Sequence, residues 1–266
     1  MEMNYWTKLS IEYANQRSYL DDLFRIYPTI PSGIREIDQN KWEAVKTSFN
    51  NQNNIDLIKN LLKLKLFPIK DSYVAYLRKD QSALDRNPET VNRLAGRIYD
   101  MGLDKVYEKC SEPKETNRQI GPMFKMWVDK GSLGAPVLNI DNFINSNSNC
   151  ILSGTDKEMG DYAIDYCGYE YSGNTDKGLD FIAKFNGKIV IGEAKFLTDF
   201  GGHQDVQFDN ALNVLDSKVN DNVVKIAIAD GVLYLGNSRA KMPTVTRERN
   251  DNIMSALVLN EFLYSI

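Results

Sequence analysis

Apolar residues recur at helical spacing along the first part of the chain and give way, further on, to short continuous apolar runs that suit strands. Residues 4–30 carry Tyr5, Trp6, Leu9, Tyr13, Leu20, Leu23 and Phe24 on one helical repeat, which stops before Pro28 and the Pro31-Ser32-Gly33 turn. The same spacing predicts helices over 41–49, 54–66 and 71–77. Asn87-Pro88 opens another, with Asn87 as N-cap and the proline at the first helical position. From about Asn117 the pattern changes. Ile120, Phe124, Trp127 and Val128 predict a short amphipathic helix, and 131–149, rich in Gly, Pro, Ser and Asn, reads as loop with brief ordered pieces. A strand is expected over 163–171. A helix follows over 204–215, with Val206, Ala211, Leu212 and Leu215 inward, and the apolar run 223–229 suits a central strand.

Between the last two segments and the strand expected before them lies Asn186-Gly187, flanked on both sides by apolar runs. That dipeptide is a hairpin signal, because a type I′ turn needs positive φ at both central residues. A two-residue loop sets Phe185 against Lys188. Stepping five residues back on one strand and five forward on the other then sets Asp180 against Glu193. Directly opposed Cβ atoms lie about 4.5–5.5 Å apart, where like charges repel and call for a cation between them. Side chains alternate with period two, so Lys195 shares the face of Glu193. Two carboxylates and an ammonium therefore gather at one end of the hairpin, a set suited to a hard divalent metal.

A plainer reading makes these ordinary charges at strand ends. An acidic residue followed two positions later by lysine also occurs at Glu112-Pro113-Lys114 and Asp216-Ser217-Lys218. The first contains a proline that a central strand would not accept, and the second follows a predicted helix. Only Glu193-Ala194-Lys195 ends an apolar run, Ile189 to Gly192, with Phe181, Ile182, Ala183 and Phe185 on the facing strand.

Gly178-Leu179-Asp180 together with Glu193-Ala194-Lys195 resembles the PD-(D/E)XK nuclease superfamily, to which most type II restriction endonucleases belong. The proline that precedes the aspartate in many members is absent here. The resemblance covers about residues 118–235. It implies an α/β (α+β) fold with an αβββαβ core, a mixed central sheet flanked by helices, preceded by a helical N-terminal extension. Residues 117–266 would then form the nuclease core with a C-terminal tail, and 1–116 a helical region for recognition or dimerisation. It also implies Mg²⁺ as cofactor, held by Asp180, Glu193 and the backbone carbonyl of Ala194, with Lys195 at the attacking water. A further carboxylate from Glu112, Glu115 or Asp161 could serve a second metal.

Composition narrows the alternatives. With 266 residues, 42% hydrophobic and 26% charged, the chain suits one elaborated domain or a core with an extension. Three cysteines in no metal-ligand spacing point to packing roles in a reducing compartment, and neither a membrane span nor a signal-peptide pattern is visible, so a cytoplasmic location is expected. The single histidine, His203, excludes two-histidine phosphoryl transfer, histidine-rich zinc sites and HExxH proteases. No phosphate-binding loop is present, so no nucleotide cofactor is expected.

A net charge of −4 argues against coating nucleic acid by bulk charge but allows a local basic surface. Arg239, Lys241, Arg247 and Arg249 form the densest such cluster and are candidates for DNA contact, with a solvated loop as the plainer reading. Asn117 and Arg118, before the helix at 120, and Gln204 and Gln207, after the Gly201-Gly202 pair, are further DNA-binding candidates that could equally cap helices. The expected partner is double-stranded DNA, with a homodimer cutting both strands of a symmetric site. The function expected is a Mg²⁺-dependent, sequence-specific endodeoxyribonuclease of the type II restriction class. A repair or junction-resolving nuclease of the same fold, or a non-catalytic DNA-binding protein, remains as the alternative.

Overall fold

A computed structural model describes residues 2–28, 35–113, 120–170, 179–236 and 239–266. In chain order the helices and strands are α1 (Tyr5–Gln16), α2 (Tyr19–Leu23), α3 (Gln39–Asn50), α4 (Asn54–Leu62), α5 (Val74–Lys79), α6 (Ala83–Arg86), α7 (Pro88–Met101), α8 (Leu103–Ser111), α9 (Ile120–Asp129), β1 (Val137–Leu138), α10 (Ile140–Asn145), β2 (Cys150–Leu152), α11 (Asp156–Cys167), β3 (Phe181–Phe185), β4 (Lys188–Leu197), α12 (Gly202–Asp216), β5 (Val223–Gly231), α13 (Lys241–Glu248), β6 (Ile253–Met254) and α14 (Leu259–Ser265). Two compact units result: Met1–Thr29 together with Thr116–Ile266, and Ile30–Glu115.

The unit Ile30–Glu115 is helical in its described residues, as the spacing of its apolar residues predicts. Its core gathers Trp42, Val45, Leu57, Ile58, Leu61, Leu94, Ile98 and Val106. Pro88 does open α7, but the Asn87 side chain makes no cap; its amide instead donates to the carbonyl of Ala83 at 2.7 Å, closing the preceding turn.

The other unit is built on a six-stranded mixed sheet in the order β1-β2-β3-β4-β5-β6 among the described residues. β2, β3 and β4 are antiparallel to their neighbours within that trio, whereas β4, β5 and β6 run parallel, as do β1 and β2. Both faces are covered, which is why β3, β4 and β5 read as almost unbroken apolar runs. Phe181, Ala183, Phe185, Val190 and Ala194 face one core, formed with α9, α12 and the C-terminal helix. Ile182 and Ile191 face another, formed with α10 and α11.

Two sequence expectations change here. The stripe over 4–30 is not one helix: Arg17 is extended between α1 and α2, and the break turns Tyr19, Leu23, Ile26 and Tyr27 inward while Leu20 and Phe24 stay exposed. The strand expected over 163–171 is largely helix α11, ended by Gly168 in the left-handed conformation; Tyr171 lies outside the described residues. A capping box between Thr155 and Glu158 fixes its start, and Met159, Tyr162, Ala163 and Cys167 bury one helical face. The strand that precedes the hairpin is instead the three-residue β2, just after the stretch read as loop. Over 204–215 the helix is as expected, but Val206 is exposed and Phe208 takes the inward position.

Candidate active site

The hairpin forms in the register that its turn dictates. Asn186 and Gly187 both have positive φ, 50° and 81°. Phe185 pairs with Lys188, and the ladder runs back to Phe181 opposite Gly192. There β3 ends. The Asp180 amide still donates to the Gly192 carbonyl, at 3.1 Å, but the next amide of β4, that of Ala194, is taken by the Asp180 carboxylate at 3.0 Å. One side chain thus supplies the acceptor for that amide, and this brings its carboxylate against β4.

Close packing on the other side fixes β4 itself. A Cβ on Gly192 would stand 2.6 Å from Ile226 Cγ1 and 3.1 Å from the Ile226 carbonyl oxygen of β5, so only glycine fits at this point. Glu193 follows immediately.

Three oxygens converge on one cation. Lys195 Nζ donates to Asp180 Oδ2 at 3.1 Å, to the Ala194 carbonyl at 3.1 Å and to Glu193 Oε1. The Asp180 side chain is 38% exposed, that of Glu193 only 11%, so the group opens to solvent on the aspartate side. Burial, and after it the charge of Asp180, raises the Glu193 carboxyl to about 7 against the pull of Lys195. Burial by itself would lower the Lys195 ammonium, but the attraction of Asp180 and Glu193 outweighs it and the group is held above its ordinary value. The ammonium therefore stands where a divalent cation would meet two carboxylates and a carbonyl, all hard oxygen donors. Among the described residues no group of three or more His, Cys, Asp or Glu side chains converges, so any metal here would complete its shell with water or substrate oxygens.

The other candidates within the described residues have different partners. Gln204 Oε1 accepts from the Thr198 amide at 3.1 Å and so braces the loop after β4, while Gln207 Nε2 lies 2.9 Å from His203 Nε2 on the exposed first turns of α12. Lys241 pairs with Asp209, Arg247 donates to the carbonyls of Leu235 and Gly236, and Arg249 pairs with Asp216 and Asp251; Arg239 is exposed. Of the supplementary carboxylates, Asp161 pairs with Lys157 on an exposed helical turn, and Glu112 pairs with Lys109 in the helical unit. Glu115, Asn117 and Arg118 lie outside the described residues. Cys110, Cys150 and Cys167 are free and buried, and burial pushes the thiols of Cys110 and Cys167 to about 12, which keeps them protonated.

Sequence reading missed a second buried carboxylate. Asp230, at the end of β5, is fully buried and accepts from Tyr19 Oη and Tyr27 Oη at 3.1 Å each, from the Ala256 amide at 3.2 Å and from Ser255 Oγ. Its only sequence signal was a lone charge closing an apolar run. A cavity of about 550 Å³ opens beside it, lined by Tyr19, Phe196, Leu197, Gly231, Tyr234 and Arg17 among others; none of Asp180, Glu193 or Lys195 lines it.

The model of the Tsp45I type II restriction enzyme family matches residues 4–266. No curated protein and no solved structure matches the chain.

Proposed function

The chain belongs to the Tsp45I type II restriction enzyme family and is a site-specific deoxyribonuclease acting on double-stranded DNA; from that premise we propose that it cuts by Mg²⁺-dependent hydrolysis at Asp180, Glu193 and Lys195. Family membership decides against the junction-resolving and non-catalytic alternatives. The observation that carries the proposal is the convergence of Asp180 Oδ2, Glu193 Oε1 and the Ala194 carbonyl on a single cationic point.

Asp180, Glu193 and the Ala194 carbonyl would hold Mg²⁺. When bound, the ion neutralises charge on the scissile phosphate and acidifies water. Asp180 also accepts the Ala194 amide through its carboxylate, which ties that side chain to β4 beside Glu193. Lys195, on a flexible stem, holds the attacking water in line with the phosphorus. It also donates to the phosphoryl oxygens as charge builds on them. The core is read as the αβββαβ arrangement of PD-(D/E)XK nucleases, carried by α9, β2, β3, β4, α12 and β5, with α11 inserted between β2 and β3. Recognition is assigned to the helical unit Ile30–Glu115, since residues 1–29 pack into the unit that holds the sheet, and to the basic segment at 239–249. A homodimer follows from the need to cut two strands at a symmetric site. No helix among the described residues is long and apolar enough to cross a membrane, and a cytoplasmic enzyme is proposed.

Incubation of the purified protein with a long DNA of known sequence and Mg²⁺ tests the reading. Discrete fragments that vanish in excess chelator are expected, with Ca²⁺ supporting binding but little cleavage because its looser shell acidifies water less. Cleavage that persists in chelator would overturn the metal mechanism.

A further inference from the structure

Lys195 stands near the carboxyl end of β4. Among the described residues β3 stops opposite Gly192, and the strand paired with residues 193–197 of β4 is β5. Phe196, next to Lys195, points to the opposite face of the sheet, and there its ring meets Tyr27 edge to face, with centroids 5.0 Å apart. Tyr27 is itself buried and is tethered by its hydroxyl to Asp230, which lies directly across from Phe196 in the parallel ladder.

We propose that Tyr27, held by Asp230, is a positioning residue that backs the carboxyl end of β4 and so sets the place of Lys195. Four hydrogen-bond donors from α2, the segment after it and the Ser255-Ala256 turn saturate Asp230, and all of them are fixed by one carboxylate. The end of β4 can shift by a fraction of an ångström once the ring that backs its face loosens. Small misplacements of a catalytic group reduce rate far more than they reduce ground-state binding. The proposal rests on the assignment of Lys195 to the chemistry. Failure of that assignment is seen separately, as normal cutting by Lys195→Ala.

Tyr19 supplies the control. It gives the same carboxylate a donor at the same distance, 3.1 Å, but its ring packs on Tyr234, not on Phe196. Tyr27→Phe and Tyr19→Phe should each fold with an unchanged circular dichroism spectrum and a lowered Tm. Single-turnover cleavage at saturating DNA and Mg²⁺, well below either Tm, then separates them. Tyr27→Phe is expected to cleave on the order of tenfold more slowly, with Ca²⁺-supported DNA affinity within about twofold of the parent, and Tyr19→Phe to cleave at close to the parent rate. Adding Phe196→Leu to Tyr27→Phe should slow cleavage no further than the worse single variant, since both act through one contact. Equal slowing by the two tyrosine variants, a Tyr27→Phe rate within twofold of the parent, or fully additive effects with Phe196→Leu would each overturn the proposal.

Discussion

Glu193 and Asp230 occupy similar places in the same sheet. Each is a buried carboxylate toward the carboxyl end of one of two neighbouring parallel strands, and burial raises the pKa of both. Their partners differ. Asp230 accepts four hydrogen bonds from two tyrosines, a serine and a backbone amide, which leaves its oxygens occupied. Glu193 receives one, from Lys195, and faces the charge of Asp180 on the other side. A buried carboxylate saturated by neutral donors is a structural tie, because nothing more can bind it without breaking the network. A buried carboxylate that shares one cation with a second carboxylate keeps free lone pairs and an unresolved repulsion, and both favour a divalent ion.

Substitution should break this contrast most sharply at the candidate active site. Asp180→Ala, Glu193→Ala and Lys195→Ala are each expected to reduce DNA cleavage by about a thousandfold or more while leaving the far-ultraviolet spectrum unchanged. Fragment assays with each variant check this, and near-normal cutting by any one removes that residue from the chemistry.

Asp230→Ala should act on folding first. It strands four buried donors, so a loss of about 3–5 kcal/mol in denaturant unfolding is expected, large against a typical total of about 5–15 kcal/mol. A midpoint shift no larger than that of a surface substitution would contradict the structural role.

The pH dependence of stability in metal-free protein sharpens the comparison further. The Glu193 carboxyl sits at about 7 when folded, above its ordinary 4.5, so between those values the folded state keeps a proton that the unfolded state has lost. Stability from this group is therefore highest below pH 4.5, falls as pH rises to about 7 and is level beyond, by at most about 3 kcal/mol. Glu193→Gln should flatten that slope and raise stability at pH 8. Mg²⁺, which needs the ionised carboxylate, should bind more tightly as pH rises through about 7. Calorimetric titration against pH measures this, and a Mg²⁺ affinity that is flat from pH 6 to 8 would count against Glu193 as a ligand.

The smallest effects are expected on the basic segment. Lys241 and Arg249 already pair with Asp209 and Asp216, so their contact with DNA would have to compete with these partners. Alanine at a phosphate-contacting position should weaken binding to all sequences alike and reduce the salt slope by about 1, whereas loss of a guanine contact relaxes specificity at one position. Isotherms on cognate and scrambled duplexes at several salt concentrations distinguish the two. Unchanged affinity and slope for Arg239, Lys241, Arg247 and Arg249 would leave the segment a solvated, internally paired surface.

Most of the hairpin was legible in advance because its determinants are local. Asn186-Gly187 sets the turn, the turn sets the register, and period two sets the face, so the opposition of Asp180 and Glu193 and the company of Lys195 follow from a span of sixteen residues. The apolar runs of β4 and β5 and the helical spacing through 39–111 are local signals of the same kind. Short segments were less secure. The stretch 163–171, whose first half is the end of α11, reads as a strand because a few alternating apolar residues fit both periods, and the deciding cap at Thr155 and Glu158 lies outside that window.

What the tertiary structure alone decided are the contacts between residues far apart in the chain. Nothing near Asp230 in sequence shows that Tyr19, Tyr27 and Ser255 will close around it, since the two tyrosines stand 211 and 203 residues away. Nor does Arg17 announce the break that turns Tyr27 inward, where it meets Phe196. Sequence thus determined which chemical groups the hairpin brings together. How firmly the strand that carries them is held depended on burial: only a packed interior excludes water and lets one carboxylate gather donors from opposite ends of the chain.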